Sequence, residues 1–184
     1  TNVTLNPGTG ADITYTGVIA DGAAGMTLTK TGAGKQTLNA VNLYTGGTFL
    51  SGCGTLNYSN ASALSSGPIT YNGGAVLQAG VATTLANAIN VNFAGVGSIG
   101  TNGFDTTLSG PITGNGSLAK TGGGILTLTG AEANNIVGGF RVGTNGGRLV
   151  VADGKSLTNT GPVTVLSGGS LDYSKNITGN DLTN

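Results

Sequence analysis

One phrase occurs twice in this chain, ninety residues apart. Lys30-Thr31-Gly32-Ala33-Gly34-Lys35-Gln36-Thr37-Leu38 returns as Lys120-Thr121-Gly122-Gly123-Gly124-Ile125-Leu126-Thr127-Leu128, keeping Lys-Thr-Gly-x-Gly-x-x-Thr-Leu. An internal repeat constrains the fold before composition does. Each copy is a unit that cannot bury its apolar face alone and must stack on neighbours. Two more phrases return. Gly67-Pro68-Ile69-Thr70 reappears as Gly161-Pro162-Val163-Thr164 at an offset of 94, and Asn72-Gly73-Gly74-Ala75 as Ser167-Gly168-Gly169-Ser170 at 95. A stack of coils absorbs such drift at its corners. The expected organisation is one segment over 1–184, with two diverged super-repeats at about 16–78 and 109–173. An irregular linker over 79–108 would join them.

Within the copies the chain alternates. In Asp12–Gly17, Met26–Thr29 and Ile89–Phe93, apolar and polar residues change places at each step, the period of a half-buried strand. Asn-Gly, Gly-Gly and Ser-Gly turn signals separate such runs about every ten residues. Asn57–Ser65 has the only faintly helical look, but Ser and Asn favour loops. Short one-faced strands with glycine corners predict an all-β, elongated parallel β-helix, that is, a β-solenoid. With on the order of 20 residues per coil, eight or nine coils would make a rod of roughly 40 Å. The competing architecture is an antiparallel sandwich, whose hairpins Asn-Gly and Gly-Gly would also suit.

Composition narrows the function. Glycine supplies 36 of 184 residues and charged side chains only 8%, so Thr, Asn and Ser must cover the surface. There is no Gly-X-Y register and there are only four prolines, which excludes collagen. The recurring aliphatics exclude disorder. Seven basic and seven acidic residues are scattered and cancel. Nucleic acid needs clustered cations, and no basic amphipathic helix suits a membrane surface. Nor is any apolar run near the roughly 18 residues of a membrane span. Cys53 stands alone, so no internal disulfide can form. Histidine is absent, and with it the commonest general base and metal ligand. The opening Thr1-Asn2-Val3 reads as a mature or excised segment whose targeting parts lie outside it.

Candidate chemistry is sparse, and no cofactor or metal is expected. Gly32–Thr37 resembles part of a phosphate loop, but Thr29 stands where a glycine is needed and Gln36 where Ser or Thr should follow Lys35. Gly97–Asp105 lacks the stacked aspartates of calcium-binding glycine repeats. The weak catalytic candidates are Asp153 and Asp172. They lie nineteen residues apart, near one coil, with Lys155 and Lys175 able to flank them as in a polysaccharide-cleaving β-helix. Outward pairs Thr27/Thr29 and Thr127/Thr129 invite an ice-binding reading, which needs the grid to continue on successive coils. Tyr44, Tyr58 and Tyr71 could form an exposed stripe for glycans, or cap a core edge.

The residues carry a family resemblance. Gly116-Ser117-Leu118-x-Lys120-Thr121-Gly122-x-Gly124-x-Leu126-Thr127-Leu128-Thr129-Gly130, the stretch Ala133 to Gly139, and Gly147-x-Leu149-Val150-Val151 resemble the autotransporter-associated β-strand repeat. The first copy keeps another part, Asn42-Leu43-Tyr44-Thr45-Gly46-Gly47-Thr48 followed by Gly54-Thr55-Leu56. In the second copy Ile136 and Val137 replace the tyrosine and threonine, ahead of Gly138 and Gly139. The repeat-defining positions are thus Lys30, Thr31, Gly32, Gly34, Leu38, Gly46 and Gly47, with Lys120, Thr121, Gly122, Gly124, Leu128, Gly138 and Gly139. The resemblance implies a right-handed parallel β-helix in a secreted or surface-displayed bacterial protein. It would serve as a non-enzymatic stalk that presents or mediates adhesion to a host-surface or cell-surface glycan or protein. End-to-end self-association into an extracellular fibre is a further expectation, because end strands leave backbone groups unpaired.

Overall fold

The structure, a computed structural model, describes residues 2–22, 25–130, 134–152, 161–173 and 182–183. It is built from coils. The first carries β1 (Val3–Leu5) and β2 (Asp12–Tyr15), the second β3 (Leu28–Lys30) and β4 (Lys35–Leu38), and the third β5 (Thr48–Leu50) and β6 (Thr55–Tyr58). The fourth adds a third side, with β7 (Ile69–Tyr71), β8 (Val76–Ala79) and β9 (Thr83–Leu85). The fifth has β10 (Ile89–Val91), β11 (Val96–Gly100) and β12 (Thr106–Leu108), and the sixth β13 (Ile112–Gly114), β14 (Ser117–Thr121) and β15 (Ile125–Leu128). The seventh has β16 (Asn135–Ile136), β17 (Phe140–Val142) and β18 (Gly147–Val151); β19 (Val163–Val165), β20 (Gly169–Tyr173) and β21 (Leu182–Thr183) follow.

These strands form three sheets along the axis. The first runs β1-β3-β5-β7-β10-β13-β16, the second β2-β4-β6-β8-β11-β14-β17-β19-β21, and the third β9-β12-β15-β18-β20. Every pairing among the described strands is parallel, which is incompatible with the antiparallel sandwich. Coil lengths scatter about the expected 20 residues: Leu28 pairs with Thr48 and Val163 with Leu182, steps of 20 and 19, and others are longer. Val3 pairs with Leu28, Ile89 with Ile112 and Phe140 with Val163, steps of 25, 23 and 23. The nine strands of the second sheet give eight spacings of about 4.8 Å, a rod of about 40 Å. The span 79–108 contributes β9 to β12, which continue all three sheets in register.

Alternation decides which residues meet inside. In β3, β5, β10 and β12 the first and third residues are buried and the middle one is not. Parallel registry then stacks like on like: Leu56 on Leu77 on Ile99 in the second sheet, and Leu85 on Leu108 on Leu128 in the third. Each fully buried aliphatic contributes about 1.5–3 kcal/mol. Tyr44, Tyr58 and Tyr71 belong to this interior and are fully buried, so they form no exposed stripe. Tyr71 has room because Gly97 lies one coil on, where a Cβ would sit 2.7 Å from its ring. After Tyr58, residues 61–64 form a turn, as the Ser/Asn content suggests. On the outside of the third sheet, Thr84, Thr107 and Thr127 stand on successive rungs, so the threonine of that pair has neighbours of its own kind.

Candidate functional site

The repeated phrase builds a corner around a buried lysine. Lys30 and Lys120 are 0% and 2% exposed. Each occupies an inward position in an otherwise apolar ladder: Lys30 between Leu5 and Leu50, Lys120 between Ile99 and Val142. The stem completes the ladder and the amine turns into the corner that follows. Lys30 Nζ donates to Thr31 O at 2.6 Å and Gly32 O at 2.9 Å. Lys120 Nζ donates to Gly122 O at 2.8 Å, to Thr101 Oγ1 at 2.8 Å, and to Gly146 O one coil on. The bond to the glycine two residues ahead is common to both copies.

The glycines of the phrase follow from this geometry. Gly32 and Gly122 both turn the chain with φ near +70° (70° and 73°), a left-handed conformation that side chains disfavour. The following coil supplies another glycine above each amine. A Cβ on Gly54 would lie 2.7 Å from Lys30 Nζ, and one on Gly147 would lie 3.1 Å from Lys120 Nζ. The separate Gly-x-Leu element of each copy is therefore the roof of the lysine corner. Gly34 and Gly124 lie at the strand starts of β4 and β15, and Leu38 and Leu128 are buried at the strand ends. Thr31 and Thr121 are half-buried beside them.

Two other contacts recur. Asn42 Oδ1 accepts from Ile19 N–H at 2.8 Å in the preceding coil, and Asn134 Oδ1 from Ile112 N–H at 3.1 Å. Gly46-Gly47 lies directly beneath Gly67-Pro68, and Gly138-Gly139 beneath Gly161-Pro162. Thr48 N–H donates to Pro68 O at 2.8 Å and Phe140 N–H to Pro162 O at 3.1 Å. Gly47 and Gly139 are left-handed, at φ 94° and 81°.

The copies do not occupy the same side of the rod. Lys30 closes β3 of the first sheet and leads into β4 of the second, whereas Lys120 lies in β14 of the second and leads into β15 of the third. Gly67–Thr70 likewise enters the first sheet as β7, and Gly161–Thr164 the second as β19. The repeat offset of 90–95 is thus four coils plus one further side, not a whole number of coils. The corner is a module that the solenoid accepts at either position.

Burial sets the electrostatics. Desolvation pushes the Lys120 amine down to about 8, opposed by the Asp105 carboxylate, and lowers Lys30 likewise, opposed by Cys53. Desolvation raises Tyr44 to about 12 against its 2.6 Å bond with Thr48 Oγ1, and raises Tyr58 and Tyr71 as well. Asp21 is lowered, first by the Thr45 hydroxyl and then by backbone N–H groups.

Asp172 lies in β20, half-exposed, and is ion-paired with Arg148 of β18. Asp153, Lys155 and Lys175 lie outside the described residues. Cys53 is a free, exposed thiol in the corner above Lys30. Among the described residues no group of three or more His, Cys, Asp or Glu is placed to hold a metal ion. Sequence reading missed Thr101 and Gly146, which lie nineteen and twenty-six residues from Lys120 and carry no motif of their own. It also missed an open apolar cavity of about 270 Å³ at the first coil, lined by residues including Val3, Leu5, Tyr15, Val18, Ile19 and Met26. Comparison with family models, with curated proteins and with solved structures returns no match.

Proposed function

We propose that this chain is a structural segment of a secreted or surface-displayed bacterial protein, a rigid spacer that extends and presents adhesive parts. The observation that carries the reading is the second sheet, nine parallel strands in unbroken succession along the rod. A stack in which every coil contacts only its neighbours grows in length without changing its interior. The side-chain satisfaction fits a load-bearing role: among the described residues no buried side-chain N or O atom lacks a hydrogen-bond partner. The exported location rests on the repeat phrases and their likeness to autotransporter repeats. Protease treatment of intact cells of the source organism tests it. Loss of the full-length product with cytoplasmic markers intact is expected, and protection until lysis would defeat the surface assignment.

One observation favours a second reading, a subunit of an extracellular fibre. Ile13, Tyr15 and Val18 are 48%, 41% and 57% exposed beside the open apolar cavity at the first coil. A coil of a second copy would cover that apolar face and continue the parallel sheets. Electron microscopy at rising concentration should show rods in multiples of one length; single short particles throughout would rule the fibre out.

A further inference from the structure

We propose that the Lys120 corner is a binding site for a primary alkylammonium, occupied in the native chain by the protein's own side chain. The inference goes beyond the spacer reading and does not depend on it. The match is one of number and direction. A primary ammonium has three N–H donors, and the corner presents three oxygens to it: Thr101 Oγ1 and Gly122 O, each at 2.8 Å, and Gly146 O. They come from three successive coils, so they converge only once the stack has formed. Thr101 is oriented by the same corner. Its hydroxyl lies 3.1 Å from Thr121 O and from Gly122 O and is also bonded to Gly123 O, which leaves a lone pair for the ammonium.

The surroundings fit the head of a primary amine and little else. The oxygens are neutral dipoles, and the carboxylate of Asp105 adds attraction while its Oδ1 accepts from Ile125 N–H. Gly147 leaves the space above Nζ open, where any side chain would meet the amine. A quaternary ammonium has no N–H to give, and a guanidinium carries five donors in a plane against three oxygens. The Lys30 corner is the internal comparison. It offers two carbonyl acceptors, Thr31 O and Gly32 O, and should bind the same ligand more weakly.

Removing the tether exposes the site. Lys120→Ala deletes three methylene groups and the amine, which together correspond to n-propylammonium. Thermal unfolding of the full-length variant is followed by circular dichroism in n-propylammonium, tetramethylammonium and sodium chlorides at equal ionic strength. A ligand that binds only the folded state raises the midpoint saturably. We expect n-propylammonium to raise the Tm of Lys120→Ala by a few degrees at about 0.1 M, with no such rise in the unsubstituted chain. Lys30→Ala should respond less. Equal shifts in variant and native chain, or an equal response to tetramethylammonium, would overturn the proposal. If Lys120→Ala does not fold in buffer, refolding yield is measured in the same salts. Recovery in n-propylammonium alone supports the site, and no recovery in any of them counts against it.

Discussion

A buried ammonium is costly, and at Lys120 the cost can be read from the direction of its titration. Burial lowers the folded-state value to about 8, whereas an unfolded lysine titrates near 10.4. Between those values the unfolded chain binds more protons than the folded one, so stability rises with pH across that window. Below about pH 8 the penalty of the buried charge is present in full. Lys30 is shifted the same way and adds to the slope. The tyrosines oppose it higher up. Tyr44, Tyr58 and Tyr71 ionise later in the folded chain than in the unfolded chain, so stability falls above about pH 10. The urea midpoint should therefore climb from pH 8 to a maximum near pH 10. Lys120→Met, which keeps the stem but leaves the acceptors unpaired, should cost about 1–3 kcal/mol at pH 7 and climb less. A midpoint flat or falling from pH 8 to 10 in the native chain would contradict this account.

At the scale of the element, corners rather than strands carry the sequence-specific information. The alternating strands and glycine corners are legible in the sequence because both rest on local periodicity. The roof of each lysine corner is not. Gly54 and Gly147 stand twenty-four and twenty-seven residues beyond their lysines, and only the coil length brings them above the amines. The one-side rotation between copies is hidden for the same reason: an offset of 90 gives no side of the rod until the coils are counted. Thr101 is harder still, since it precedes Lys120 and resembles every other threonine. Glycine substitutions separate the two roles. Gly54→Ala would place its Cβ 2.7 Å from both Gly32 O and Lys30 Nζ, and against Gly34 O, and should cost about 2 kcal/mol or more. At Gly123 a Cβ meets nothing within 4 Å, so Gly123→Ala should change stability by less than about 0.5 kcal/mol. Equal costs at the two sites in chemical unfolding would mean that the close approach does not matter. Asn42→Ala tests another corner. It strips partners from Ile19 N–H and from Ala63 O, bonded at 2.8 and 2.7 Å, and should cost about 1–3 kcal/mol.

In the whole molecule almost every contact runs along one axis, so stability should vary with position in the stack rather than with sheet. In a polypeptide of these 184 residues alone, a middle coil is covered above and below, while the first is covered on one side only. Leu50, Leu56, Ile69 and Leu77 are fully buried, yet Ile13 and Tyr15, which point the same way in the first coil, are 48% and 41% exposed. Charge does little to even this out. Among the described residues the two ion pairs, Lys35–Asp12 and Arg148–Asp172, lie on half-exposed side chains, where such pairs contribute about 0–1 kcal/mol. Opening by local unfolding is therefore easiest at the first coil and hardest in the interior. Native-state hydrogen exchange reads this directly. Amides of β2 that bond to β4 should exchange with lower protection than amides of β8 and β11, although all belong to one sheet. If copies stack through the open end, protection at β1 and β2 should rise with protein concentration while the interior stays unchanged. Equal protection along the second sheet at low concentration would show that the rod opens as one cooperative unit, and that its uncovered end is no weaker than its middle.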